Sequence, residues 1–145
     1  MTDDDSTLSA AERKALKDRT AELRKQSSRK GGNKKERELQ DALDAIEGLP
    51  EPDKALAQMV HQVVTAAAPE LDPKTWYGFP SYARDGKVLA FFQQASKFGT
   101  RYSTLGFQDI AALDDGDMWP TVFAVTADNP EVRARIEQLI RKAVG

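Results

Sequence analysis

Apolar residues recur at helical spacing in three stretches of this chain and at strand spacing between them. Leu56, Met59, Val60, Val63, Val64 and Ala67 share one stripe of a 3.6-residue period and predict a core-facing helix that begins near Asp53 and is closed by Pro69. Ahead of it, Leu39, Ala42, Leu43 and Ile46 repeat the i, i+3, i+4, i+7 pattern, with Asn33 and Glu36 as a start signal and Gly48 and Pro50 as a stop. Towards the C-terminus, Val132, Ile136, Leu139, Ile140 and Ala143 make a third stripe. Asn129 stands there as N-cap, and Pro130 takes the first helical position, where its missing N–H removes no bond. A fourth helix, over residues 10–26, opens on a capping box of Ser9 and Glu12. Its stripe of Ala11, Ala15, Leu16 and Leu23 is thin, so it is expected to pack weakly or stand partly free. Ser27, Ser28, Gly31 and Gly32 then break it.

After Pro69 the period shortens to two. Residues 79–84 and 87–93 read as strands joined by Asp85-Gly86, a dipeptide suited to the positive φ angles of a tight hairpin turn. Residues 101–107 read as a third strand and 121–126 as a fourth. A short helical or turn stretch at 108–113 and the turn Asp114-Asp115-Gly116-Asp117 separate those two. In the second strand Val88, Ala90 and Phe92 are expected on one face and Leu89 and Phe91 on the other, so both faces of a central strand are apolar. The predicted fold is α+β: a four- to five-stranded antiparallel sheet with N- and C-terminal helices packed on one face. Residues 1–37 form an arm, partly helical or flexible, ahead of a single domain at 38–145. The aromatic block at 74–125 holds both Trp, all three Tyr and all six Phe, so core and binding surface alike are drawn from it.

Charge divides the chain where the pattern does. Residues 12–37 carry eleven bases against four acids, residues 1–11 carry three acids and no base, and residues 38–145 carry ten bases against sixteen acids. A basic arm therefore precedes an acidic body. The absence of Cys excludes disulfides, thiolate nucleophiles and zinc-thiolate sites. The acidic, polar start MTDDDSTLSA does not read as a targeting signal, and no apolar run is long enough for a membrane span, so the expected location is cytoplasmic.

Two groups of residues carry candidate chemistry. Lys97 and Arg101, four residues apart, with Tyr82, Tyr102 and Trp119, are candidates for an anion-binding cleft in which cations pair a carboxylate or phosphate and the rings supply apolar walls. The competing view is an ordinary sheet surface, with aliphatic stems covering apolar area and charged tips in water. Asp109, Asp114, Asp115 and Asp117 offer hard oxygen ligands of the kind iron, calcium or magnesium accept, although Asp-Asp-Gly is equally what a turn wants. His61, the only histidine, sits one residue off the apolar stripe of its helix, at the boundary of core and solvent. No nucleophile or partner carboxylate accompanies it, and no phosphate loop, nucleophile elbow or dinucleotide fingerprint is present, so no enzyme activity is expected.

The segments TWYGFPSYARDGKVLAFFQ, KFGTRYSTLGF, LDDG and MWPTVFAV, with GLPEPDKALAQMVH before them, resemble the actinobacterial branch of the YdhG-like family of domains of unknown function. Its members include a frataxin-like iron chaperone. The resemblance covers nearly the whole chain, most firmly from Leu49 onward, and implies a sheet flanked by N- and C-terminal helices. For function it implies a non-enzymatic binding or chaperone-type domain, with weakly bound iron as cofactor. The alternative is an interaction module that uses the open sheet face or the basic arm to meet a protein partner or a second copy of itself, or to hold a small anion. Nucleic-acid binding by the arm comes third, because the arm has no aromatic residue for stacking and the acidic body repels phosphate.

Overall fold

A computed structural model describes residues 9–28 and 33–145, the side chains of 23–28 excepted. The acidic residues at 1–8, the Leu23 side chain and the glycine break at 31–32 lie outside the described residues. Helix α1 (Ala10–Ser28) opens as expected, with Glu12 N–H donating to Ser9 Oγ at 3.0 Å. In α2 (Lys34–Glu47) the Asn33 side chain accepts from the N–H groups of Lys35 and Glu36, and Gly48 ends the helix. Helix α3 (Asp53–Ala67) follows and buries Leu56, Met59, Val60 and Val64. None of the described helices is long and apolar enough to cross a membrane.

Five strands follow as an antiparallel meander in the order β1 (Asp72–Trp76), β2 (Phe79–Arg84), β3 (Lys87–Gln93), β4 (Ser103–Phe107) and β5 (Val122–Val125). Between β3 and β4 lies a one-turn helix α4 (Ala95–Phe98), and α5 (Pro130–Val144) closes the chain behind its Asn129 cap. β1 sits at the sheet edge, where Pro73 can lack an N–H without breaking an interior ladder. Both hairpins within β1–β2–β3 are two-residue X-Gly turns. Tyr77 and Gly78 have φ of 52° and 79°, and Asp85 and Gly86 have 51° and 80°, the signs a type I′ turn needs.

One face of the sheet carries the core. Tyr82, Ala90 and Phe107 lie side by side across three strands, Phe92 and Leu105 form the next row, and α3 and α5 pack over them with Val60, Val64, Ile136 and Ile140. Ile46 brings α2 into the same cluster. The C-terminal carbonyls of α5 are tied down from the sheet side: Arg84 Nη2 donates to Val144 O at 2.6 Å and Ala112 N–H to Ala143 O at 2.9 Å. Asp53, buried at the start of α3, accepts from Ser96 N–H at 2.9 Å and Ser103 Oγ at 3.3 Å, which locks that helix to α4 and β4.

The expected division of β3 holds at Ala90, Phe91 and Phe92 and fails at Val88 and Leu89. Tyr82 pairs with Ala90 but Ala83 with Val88, so Leu89 is the extra residue of a bulge. Leu89 turns into the core beside Ala90, and Val88 lines a shallow cleft with Lys74 and Trp76 on the other face. That second face has the cross-strand row Lys74, Ser81, Phe91, Gly106 and Val122. Trp76 and Phe79 flank it, with ring centroids 5.3 and 5.9 Å from Phe91.

Gly106 is required where Phe91 crosses it. A Cβ there would lie 2.7 Å from Phe91 Cε1, and the ring is held by Trp76 and Phe79. Gly106→Ala is therefore expected to destabilise the fold by about 1–3 kcal/mol in urea unfolding, in the range of overpacking a filled core. Most of that loss should return in the double variant with Phe91→Leu, and an additive double variant would show that the ring is not the cause.

Candidate functional site

The β1–β2 turn gathers polar groups from four elements. Pairing of Trp76 with Phe79 leaves only Tyr77 and Gly78 to reverse the chain, and this points the Gly78 N–H out of the sheet end towards α1. Glu22 Oε1 of α1 accepts from it at 2.9 Å. Beside it, α4 ends on Gly99 in the left-handed region, and Lys97 from its last turn extends its ammonium to Asp18 of α1. Only 6% of the Lys97 side chain is exposed, and its Nζ lies 5.9 Å from the Phe79 ring centroid. The Arg19 guanidinium stands 5.7 Å over the Tyr77 ring, and Gln94 Nε2 donates to Gly78 O at 3.4 Å. A cleft of about 750 Å3 opens between this turn, α1 and α2, with Asp41, Asp44, Gln94 and Ser96 in its walls.

The five ligand-binding candidates of the sequence go to different places. Lys97 lies in that cleft, while Arg101 and Tyr102 share a second one of about 460 Å3 near Pro52 and Thr126. They stand on the turn before β4, which starts at Ser103 rather than at 101, and the guanidinium lies 5.0 Å from the centroid of the Tyr102 ring. Trp119 packs half-buried against the core and walls a third cleft with Phe107 and Leu113. Tyr82 lies in the core, 1% exposed, and lines none of these. Lys97 and Arg101, four residues apart in sequence, diverge because α4 and its Gly99 cap turn the chain between them.

The Tyr82 hydroxyl shares a 3.0 Å hydrogen bond with His61 Nδ1. Burial raises the phenol well above its ordinary range and lowers the imidazole below its own, so both are neutral at pH 7. Closed in on the core side, this pair satisfies two buried polar groups.

Asp109, Asp114, Asp115 and Asp117 are all exposed along the loop between β4 and β5. Among the described residues, no three His, Asp or Glu side chains gather to hold a metal ion. Sequence reasoning passed over Asp18, Glu22, Gly78 and Gln94. The available signal was the pair Asp18 and Glu22 one helical turn apart, together with Tyr77-Gly78 read as a second hairpin turn. No family model matches the chain, and neither a curated protein nor a solved structure is found similar to it.

Two outcomes follow from these placements. A base whose folded pKa is depressed binds fewer protons folded than unfolded, so His61 should make stability fall as pH drops below its ordinary value of 6.5 and level off below its folded pKa. His61→Gln, which can still accept from Tyr82, should flatten that part of the stability–pH curve, and an unchanged slope would assign it to other groups. Ferrous iron titrated into the protein should show weak binding, on the order of millimolar, that Asp114→Ala with Asp117→Ala leaves unaltered, as suits carboxylates that do not converge. A stoichiometric isotherm lost in that double variant would reverse this.

Proposed function

We propose that the chain is a non-enzymatic protein-interaction module that works through the uncovered face of its sheet. One observation carries the reading. The helices α2, α3 and α5 contribute to the core on one face, while on the opposite face Phe79 and Ser81 are buried, Trp76 and Phe91 are half-buried, and towards β5 Ala124 is exposed and Val122 54% exposed. Phe91 and Val122, the apolar side chains of the cross-strand row, are costly to leave in water and gain when a partner covers them. Gly106 contributes by leaving room for the Phe91 ring, which covers it. Lys74 at one end and Ala124 near the other give the row a polar and an apolar limit.

A catalytic reading has less support. The one histidine is engaged with a buried phenol, and Lys97 is engaged with Asp18. Iron handling, which the family resemblance implies, remains a separate proposal carried by that resemblance alone.

A photo-crosslinking amino acid placed at Val122 should yield a discrete adduct in cells, either of doubled mass for a second copy or of another fixed mass. The same probe at Leu43, an exposed apolar position on α2, should yield none. Equal labelling from both positions, or none from either, would defeat the proposal.

A further inference from the structure

Helix α1 is attached to the body in an unusual way. Helix α3 is held by apolar burial of Leu56, Met59, Val60 and Val64. The described side chains of α1 bury only Ala15, and Leu16 is 47% exposed. Among the described side chains, α1 meets the body through the Arg19 guanidinium over the Tyr77 ring and through the carboxylates Asp18 and Glu22, one helical turn apart, which meet the Lys97 ammonium and the Gly78 N–H. On the body side both donors are built in. Glycine suits position 78, because its φ is 79° and a Cβ there would crowd Asp18 Oδ2 at 2.6 Å. The preceding Tyr77 holds a positive φ of 52°, a strained state for an aromatic residue that aims the next N–H outward. Lys97 lies over the Phe79 ring, and with α1 in place its side chain is nearly buried.

The junction is also incompletely satisfied. Arg19 Nη1, Glu22 Oε2 and Gln94 Oε1, buried here, have no hydrogen-bond partner among the described residues. The first two, both on α1, form an ion pair with each other at 3.6 Å, too long for a hydrogen bond. An interface that buries little apolar surface has little to keep it from opening locally.

We infer that Gly78 N–H and Lys97 Nζ form a docking site for a helix that presents two carboxylates one turn apart, and that α1 fills it in cis as a tethered pseudo-ligand. The occupant in trans is a helical segment of a partner protein with such a carboxylate pair, which must displace α1 to enter. This site lies at the end of the sheet and does not depend on the open-face reading.

The probe is a synthetic peptide of residues 9–28 of this chain, titrated calorimetrically into the full-length protein. A chain carrying Asp18→Asn and Glu22→Gln should bind the peptide at least about ten-fold more tightly than the unaltered chain, because the tethered competitor is weakened. Peptide carrying the same two changes should not bind. Adding Lys97→Met to the substituted chain should lower affinity about ten-fold or more, the scale of a lost charge-assisted bond. Hydrogen exchange supplies a second readout: α1 amides should exchange faster in the Asp18→Asn, Glu22→Gln chain while α3 amides stay protected. Equal peptide affinity of the two chains, no binding to the substituted one, or indifference to Lys97→Met with α3 still protected would overturn the inference. A failure here leaves the crosslinking result at Val122 untouched, so the two readings fall separately.

Discussion

The bulge between β2 and β3 sets where the side chains of this sheet go. With one extra residue at Leu89, the strand places Leu89, Ala90 and Phe92 in the core and still returns Phe91 to the opposite face at the register of Gly106. Without it, continuous alternation would send Leu89 out beside Phe91 and Val88 in beside Ala90. The core under α3 would then lose a fully buried leucine, and the outer face would gain an exposed one. Two faces of different character result, a closed one under helices and an open one paved with aromatic rings.

Attachment to this frame takes two physical forms. α3 and α5 are held by apolar burial, which is non-directional and little affected by salt, and their ends are fixed by Asp53 and Arg84. α1 is held by two carboxylates and one guanidinium–ring contact at the sheet end. Partly exposed ion pairs weaken as ionic strength rises, so the two kinds of helix respond differently to the same solvent change. The uneven charge of the chain has a local counterpart here: the basic arm meets the body through its few acids, Asp18 and Glu22, and through Lys35 with Asp72 at 3.4 Å.

Much of this architecture is legible in the residues, and the gaps have physical causes. The apolar stripes of α2, α3 and α5, the Asn33 and Asn129 caps, the Ser9 capping box and the Asp85-Gly86 turn all depend on neighbours within a few positions, and each stands where the pattern puts it. β1 was harder to see because Pro73 lies inside it and Tyr77 replaces the usual Asn or Asp before the turn glycine. The bulge leaves no local signature, since Leu89 is as compatible with one face as the other. α4 has only four residues, too few for any period to register, yet it decides that Lys97 and Arg101 part company. The candidate site was least legible, because its members come from α1, the β1–β2 turn and α4, and Lys97 finds Asp18 across 79 positions of chain.

The chemistry of the two surfaces explains why they need not compete. The open face offers ring edges and methyl groups and favours a partner by area removed from water, with little demand on orientation. The sheet end offers one backbone N–H and one ammonium at fixed places, and it selects acceptors by position and charge. A partner suited to the first gains little from the second. They meet at the β1–β2 hairpin, where Trp76 faces the aromatic row and Gly78, two residues on, faces α1. Since Trp76 and Gln94 hold this turn from the body and Arg19 and Glu22 hold it from α1, while Tyr77 keeps its strained φ, any displacement of α1 removes two of these contacts. The hairpin is therefore a place where occupancy of the sheet end can be felt by the open face.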